Sequence, residues 1–377
     1  MKLLPHQQPL ARGYPDRGLL AWETGTGKTI GAIAWLKDGR DSDALIICPK
    51  RVVQKWQETL ALWDSKAVVL SKEQFKKTAI KKYSAIVVDE VDEFGSALFV
   101  PGKRSQLSAH LYDTLKDNKE TPRLLLSATP VRSTPWNLHT LLCFMGYYVP
   151  YKKWRDKFFV LTKRPYLPRP TWLPKTGWQK GMQPLLKKYA DIVLMRDCVG
   201  ELPPETSEVI HISTPLFTSS EWEPAKAFVE EHKHEQTNKA KKIKEIGRGY
   251  RKVLVVAHYV EQVEDLRHDL AGERLTFAIH GGVKDQEAVI AEAQEADECY
   301  FIVQASLGAG FDADTFSCVV FASMSYRVRD WVQMRGRVRR IHNLHPVYYY
   351  YLHGGRLDKK VYETIRAGRD FIPAEFA

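Results

Sequence analysis

Glu23-Thr24-Gly25-Thr26-Gly27-Lys28-Thr29 carries the most chemistry per residue in this chain. A Gly-Lys-Thr where a strand meets a helix is a phosphate cradle: glycines let backbone N–H groups converge on phosphate oxygens, and the helix dipole adds favourable potential. Thr24, Gly25, Thr26 and Gly27 would line it, Lys28 would neutralise β- and γ-phosphates, and the Thr29 hydroxyl would ligate Mg2+. The motif departs from strict form, because Trp22 stands where a Gly is expected five residues before Gly27.

A second group of residues has the complementary chemistry. Asp89-Glu90 follows the apolar run Ala85-Ile86-Val87-Val88. Asp89 would share the Mg2+ with Thr29, and Glu90 would orient or deprotonate an attacking water. An isolated Asp-Glu in a turn would mean nothing; together with the cradle it does. Ser127-Ala128-Thr129-Pro130 places small hydroxyls after another apolar run, where they can bond the acidic pair or simply make a turn. Gln333-Met334-Arg335-Gly336-Arg337-Val338-Arg339-Arg340 is dense in guanidinium. Arg337 and Arg340 share a face if the segment is helical, and a phosphoryl group in transfer gains charge that such groups neutralise. Arg335 and Arg339 read equally as backbone-phosphate contacts or salt-bridge partners. In Gly308-Ala309-Gly310-Phe311-Asp312, Gly310 and Asp312 could face a ribose, a weak signal alone.

These residues need sheets to hold them. Short apolar runs at 18–21, 44–48, 67–70, 85–88 and 124–126 alternate with helical, polar segments, as strands buried on both faces of a parallel sheet do. Residues 146–205 break the pattern with Pro150, Pro165, Pro168, Pro170, Pro174 and Pro184, many aromatics and many Lys and Arg, and read as a linker with inserted helices and loops rather than a compact sheet. Alternation resumes at 252–257, 276–279, 300–303 and 318–321 and ends with Val347-Tyr348-Tyr349-Tyr350-Tyr351-Leu352, which reads as a buried aromatic strand rather than a base-stacking platform. The basic helical segment near Lys239-Ala240-Lys241-Lys242-Ile243-Lys244 reads as a solvated face, with DNA contact the alternative. The expected architecture is α/β: one sheet domain over 1–145, an irregular helical and Pro-rich insertion over 146–205, and a second sheet domain over 206–377.

Composition bounds the partners. A net charge of +11 and a pI near 9.2 point to a polyanion, nucleic acid first, or to a merely Lys-rich surface. No run approaches the roughly 20 apolar residues of a membrane span, and no secretory leader is expected from Met1-Lys2-Leu3-Leu4-Pro5-His6. Five scattered cysteines without a Cys-x-x-Cys pair suit reduced thiols in a cytoplasm. The His232-Lys233-His234 stretch reads as solvated surface.

In order along the chain, these motifs resemble the superfamily 2 helicases and translocases, in the branch of the Swi/Snf-type DNA-dependent ATPases. Ala21-Trp22-Glu23-Thr24-Gly25-Thr26-Gly27-Lys28-Thr29 resembles that branch's Ala-Asp-Glu-Met-Gly-x-Gly-Lys-Thr, which also lacks the leading Gly. Leu3-Leu4-Pro5-His6-Gln7 is similar to the adenine-reading Leu-Arg-Pro-Tyr-Gln, with Leu4 in place of Arg. Cys48-Pro49-Lys50 with Trp56 resembles the first DNA-contact motif, and Ser71-Lys72-Glu73-Gln74-Phe75 the segment after it. Asp89-Glu90-Val91-Asp92 stands for Asp-Glu-Ala/Gly-His, Asp92 replacing His, and Ser127-Ala128-Thr129-Pro130 for Thr-Gly-Thr-Pro. Arg196-Asp197 before Glu201-Leu202-Pro203-Pro204, His280-Gly281-Gly282, and Gln333 with Gly336, Arg337 and Arg340 complete the set. The chain is similar to compact phage or bacterial members.

The resemblance implies two RecA-like parallel-sheet domains in tandem with ATP in the cleft between them, and a DNA-stimulated ATPase that translocates along, and remodels or unwinds, branched DNA. Lys28, Glu90, Gln333, Arg337 and Arg340 would be catalytic, with Gln7, Gly310 and Asp312 joining the cradle around ATP, and Thr29 and Asp89 holding Mg2+. DNA contacts are expected from Pro49, Lys50, Arg51, Ser71, His258, His280, Gly281 and Gln304, though Lys50, Arg51 and Gln304 read equally as plain surface. A monomer is expected. The alternatives are an RNA-stimulated ATPase, a nucleic-acid-binding module that has lost catalysis, or a P-loop kinase or metabolic ATPase.

Overall fold

The strands form where the apolar runs predict them, because each run is short, branched or Leu-rich and buried on both sides. In the computed structural model, which describes residues 3–94, 98, 105–131, 134–163, 170–198, 203–212, 236–307, 311, 313–339 and 345–371, they belong to two units, residues 1–200 and 201–377. The first unit holds β1 (Arg17–Trp22), β2 (Ala44–Cys48), β3 (Val68–Ser71), β4 (Ala85–Val88), β5 (Arg123–Leu126), a hairpin of β6 (Phe159–Thr162) and β7 (Thr171–Pro174), and β8 (Asp191–Val193). Its main sheet has six strands in the order β3-β2-β4-β5-β1-β8, all parallel. Side chains alternate between two cores: Leu45, Ile47 and Leu125 enter one with Leu19, while Ile46, Cys48, Leu124 and Leu126 enter the other with Leu20 and Trp22. Each such side chain contributes about 1.5–3 kcal/mol by leaving water.

The second unit repeats the plan with β9 (Glu205–His211), β10 (Lys252–Ala257), β11 (Leu275–Ile279), β12 (Cys299–Gln304), β13 (Cys318–Phe321) and β14 (Val347–His353). Their order is β11-β12-β10-β13-β14-β9, again all parallel. The tyrosine run is β14, and it is a buried strand as expected: Tyr349 and Tyr351 are buried in one core, and Tyr351 stacks on Phe321 at 4.9 Å. On the other face Tyr350 shares a hydroxyl hydrogen bond of 2.8 Å with Tyr250.

Two features differ from the sequence reading. Residues 146–198 group with the first unit. Trp154, Phe158, Phe159 and Met182 enter its core, and β8 pairs with β1. The prolines do not prevent this, because Pro174 ends β7 and the hairpin is an isolated pair. The basic helix Gln236–Gly247 is not a wholly solvated face. Lys239 is buried and its Nζ donates to Asp358 Oδ2 at 2.9 Å, while the same oxygen accepts from Gly354 N at 3.0 Å. A buried ammonium needs such a partner.

His139 lies fully buried between Trp136 and Trp154, with Nε2 3.1 Å from Val149 O. Burial pulls its pKa from the usual 6.5 to about 4, with the carbonyl opposing the shift. Burial likewise holds His353 of the second unit down at about 4. In the unfolded chain each binds a proton below the ordinary value, and the folded chain does not until near 4, so stability falls as pH drops through that window and is unaffected above it. Urea midpoints between pH 7 and 4.5 check this: the unfolding of the first unit weakens as pH falls, and His139→Leu lessens the slope.

Candidate functional site

Three loops of the first unit leave the carboxyl ends of neighbouring strands, where parallel sheets hold ligands. In sheet order they follow β4, β5 and β1. The cradle is the loop after β1, leading into the helix Lys28–Lys37. Gly25 and Gly27 have φ of +89° and +82°, values that L side chains avoid. Gly27 is also pressed against Gln7: a Cβ there would lie 2.3 Å from Gln7 Nε2. The Gln7 amide donates to Gly27 O at 3.2 Å and Thr26 O at 3.4 Å, and its Oε1 accepts from Leu4 N at 2.9 Å. Lys28 folds back, with Nζ donating to Trp22 O at 2.8 Å and Glu23 O at 3.2 Å. Thr26 Oγ1 also donates to Glu23 O, at 2.7 Å. Thr24 and Thr29 are half-buried in the same turn.

Trp22 explains the motif's departure. It is the last residue of β1 and fully buried. Its indole lies against Gly31, where a Cβ would come within 3.0 Å of the ring, and its Nε1 donates to Asp191 Oδ2 at 3.1 Å. The ring therefore wedges under the cradle helix, and Gly31 makes the room. Glu23, next in line, ties the cradle to the strand beside it: its N donates to Val193 O at 2.9 Å and its Oε2 accepts from Met195 N at 2.6 Å. Trp22→Ala should cost about 3–5 kcal/mol, read as a lower thermal midpoint of the first unit, whereas a ring merely filling surface would cost almost nothing.

The acidic pair follows β4. Asp89 Oδ2 accepts from Trp56 Nε1 at 3.0 Å and Oδ1 from Glu90 N at 2.9 Å, so its carboxylate is fixed in direction with lone pairs remaining on both oxygens. Cys48 is buried nearby, and burial foremost, then the Asp89 charge, pushes its thiol up to about 12. Glu90 has φ +47°, unusual for a side chain of its size. Lys72, itself buried, donates from Nζ to Glu90 O at 3.1 Å and also pairs with Glu93. The loop after β5 joins in: Ser127 Oγ donates to Asp92 Oδ1 at 2.8 Å and accepts from Thr129 N at 3.0 Å. Thr129 Oγ1 is buried without a hydrogen bond among the described residues, a state that costs about 1–3 kcal/mol until a partner arrives.

Asp92 thus takes the place of a His and is a buried partner of the hydroxyl loop. Trp56 is buried and its indole N–H orients Asp89. Ser71 is also buried, and its hydroxyl caps the short helix Lys72–Phe75 by accepting from Gln74 N at 3.1 Å. Pro49 is buried, while Lys50 and Arg51 are exposed after β2. Sequence reasoning missed Lys72 and His6 as supports. His6 Nε2 lies 2.8 Å from Thr26 O and its ring meets Trp22 edge-on at 4.8 Å. Both stand inside recognisable motifs, but nothing in sequence spacing shows a side chain turned back onto a loop carbonyl.

The second unit gathers four expected residues at the carboxyl ends of β10, β11 and β12. Gln304 Oε1 accepts from Gly281 N at 3.1 Å, and its Nε2 reaches His258 O at 3.5 Å. His280 Nε2 is 3.0 Å from Glu264 Oε1, and the His258 ring lies between Tyr259 and Tyr326, at 4.4 and 4.7 Å. Gln333 is buried in the helix Val328–Val338, and Arg337 is in its last turn with its carbonyl accepting from Ala313 N at 3.1 Å. Arg335 and Arg339 are salt-bridge partners, at 2.6 and 3.2 Å from Glu205 Oε2, and Arg335 also lies over the Trp331 and Tyr349 rings. The helix ends at Val338. Arg340, Gly310 and Asp312 lie outside the described residues, as do Glu201, Leu202 and the His232-Lys233-His234 stretch.

No helix among the described residues is long and apolar enough to cross a membrane. Residues 238–342 match the helicase conserved C-terminal domain. No curated protein matches the chain. Among solved structures, the chain is similar to the Sulfolobus solfataricus SWI2/SNF2 ATPase core in complex with dsDNA, at 15% identity, with 99% of this chain and 93% of that one covered and a TM-score of 0.43. The chain thus has two parallel-sheet α/β units, the second of which contains the match to a helicase conserved C-terminal domain.

Proposed function

We propose that this chain is a Swi/Snf-type, DNA-stimulated ATPase that translocates along duplex DNA and remodels or unwinds branched DNA. The observation that carries the reading is the side-by-side order of the three loops after β4, β5 and β1, which brings the acidic pair, the hydroxyl loop and the cradle to one sheet edge beside a helicase C-terminal domain in sequence. ATP phosphates would enter the cradle and replace the carbonyls that now hold the Lys28 ammonium. Thr29 and Asp89 would hold Mg2+; the donor set fits, since a hydroxyl and a carboxylate with free lone pairs are hard oxygen ligands. The ion supplies charge neutralisation on the β- and γ-phosphates. Gln7 would read adenine and pass its position to the loop through Gly27 O. Glu90, its backbone held by Lys72, would orient the attacking water.

Gln333, Arg337 and Arg340 of the second unit would complete the charge stabilisation when ATP is bound in the cleft between the units, and Gly310 and Asp312 would meet the ribose. Closing on ATP and opening after hydrolysis would drive the movement. DNA would be held chiefly through phosphates by Lys50, Arg51, His258, His280, Gly281 and Gln304, with Pro49 and Ser71 shaping the loops. All five cysteines are free thiols, which suits a cytoplasmic setting. ATPase and strand-separation assays on single-stranded, duplex, forked and four-way DNA, with RNA as the comparison, test this. Stimulation by duplex or branched DNA is expected; stimulation by RNA alone, or by no nucleic acid, would overturn it.

A further inference from the structure

The segment from Pro150 to Tyr189 concentrates the charge of the chain. It holds eleven Lys and Arg against one acid, Asp156, and so carries nearly all of the net charge of +11. The structure gives it a buried base and an outer face. The helix Tyr151–Phe158 roots in the core of the first unit through Trp154 and Phe158. The helix Trp178–Tyr189 roots through Met182. The β6–β7 hairpin roots through Phe159, which stacks on Trp136 at 4.7 Å. Outward stand Lys152, Lys153, Lys157, Lys180, Lys187 and Lys188, all exposed. The single acid is already matched: Asp156 Oδ1 lies 2.7 Å from Arg155 Nη2.

The face also shows rings and apolar groups that a solvated lysine surface does not need. Leu161 and Trp172 are opposite one another in the hairpin register and are 51% and 36% exposed. The Arg155 guanidinium lies 4.2 Å over the Trp172 ring, and Tyr148, just before the segment, is 91% exposed. Ordinary surfaces intersperse charges of both signs. Cations without acids, set around an arginine-backed indole, match a phosphate backbone with bases to stack upon. An acidic protein would answer the lysines but leave the planar groups without a use.

We propose that this face of the first unit is a further nucleic-acid contact, in addition to the loops at the sheet edges, with its lysines on backbone phosphates and Trp172 against an exposed base. The proposal rests on the reading of the chain as a DNA-driven ATPase. The test is fluorescence anisotropy of a labelled forked DNA over a range of salt, with wild-type protein measured first. Two triple variants are compared, K152Q/K153Q/K157Q and K180Q/K187Q/K188Q, together with their Lys→Arg counterparts and Trp172→Ala. Each Lys→Gln triple should weaken binding about tenfold or more at physiological salt and lower the slope of log affinity against log salt by about 0.9 for each phosphate no longer neutralised, with the Arg versions restoring both. Trp172→Ala should weaken binding about five- to hundredfold without changing the slope. Unchanged thermal midpoints keep folding out of the comparison. Wild-type affinity and slope in all the Gln variants, or loss of binding to polyglutamate while DNA binding stays intact, overturns this face as a DNA contact. A wild-type protein that binds no DNA and is stimulated by none overturns the ATPase reading first.

Discussion

Lys28→Ala is expected to abolish the proposed DNA-stimulated ATP hydrolysis while leaving the chain folded. The ammonium sits at the mouth of the helix Lys28–Lys37 and makes its two described hydrogen bonds to the carbonyls of Trp22 and Glu23, at 2.8 and 3.2 Å. Those acceptors are backbone carbonyls at the end of β1 and the start of the loop, so losing the amine removes no side-chain packing, and the fold keeps the Gln7 bonds to Thr26 O and Gly27 O. In the proposed mechanism the reaction would lose a full positive charge at the phosphates. Removing one such electrostatic donor costs about a hundred- to a thousandfold in turnover, and weaker nucleotide binding adds to that. Phosphate release measured with saturating DNA checks it, with circular dichroism as the folding control. Full turnover would remove the cradle from the mechanism.

Arg337→Ala should be as severe and for a separate reason. An arginine that neutralises a phosphoryl group in transfer is worth about 10^3 to 10^5 in turnover. Arg337 is held from behind, since Ala313 N donates to its carbonyl at 3.1 Å, which fixes the backbone from which the side chain extends. Its neighbours differ in kind. Arg335 and Arg339 both pair with Glu205, so replacing Arg335 should lower the stability of the second unit by way of β9. The discriminating readout is binding against turnover: Arg337→Ala retains affinity for a non-hydrolysable ATP analogue and loses turnover, whereas Arg335→Ala lowers the thermal midpoint. Full turnover in Arg337→Ala would sink the assignment of this residue.

Much of the fold was legible because parallel sheets buried on both faces leave a plain trace. Runs such as Ala44-Leu45-Ile46-Ile47-Cys48 and Lys252-Val253-Leu254-Val255-Val256-Ala257 have no polar alternation, and both became central strands. The tyrosine run was legible for the same reason, its alternate rings buried at Tyr349 and Tyr351. Residues 146–198 were less so. Their prolines suppress the strand signal, while the feature that joins them to the first unit is a set of aromatic side chains, Trp154, Phe158 and Phe159, meeting Trp136 and its neighbours. Contacts of that kind have no period in sequence.

The candidate site divides in the same way. Types and order along the chain put forward Lys28 and Thr29 at a helix start and Asp89 and Glu90 after a strand as candidates for phosphate chemistry, with Arg337 proposed to join them. Sequence alone determined that this is an α/β protein with two parallel-sheet units, and which loops carry its charge and hydroxyls. Only tertiary structure decided how those loops are held: Trp22 wedged against Gly31, Trp56 aiming Asp89, Lys72 gripping Glu90 O, and Lys239 paired to Asp358 rather than facing water. Local patterns report what a residue can do and which face it prefers. The partner that turns a side chain inward comes from a distant strand or helix, and only packing brings the two together.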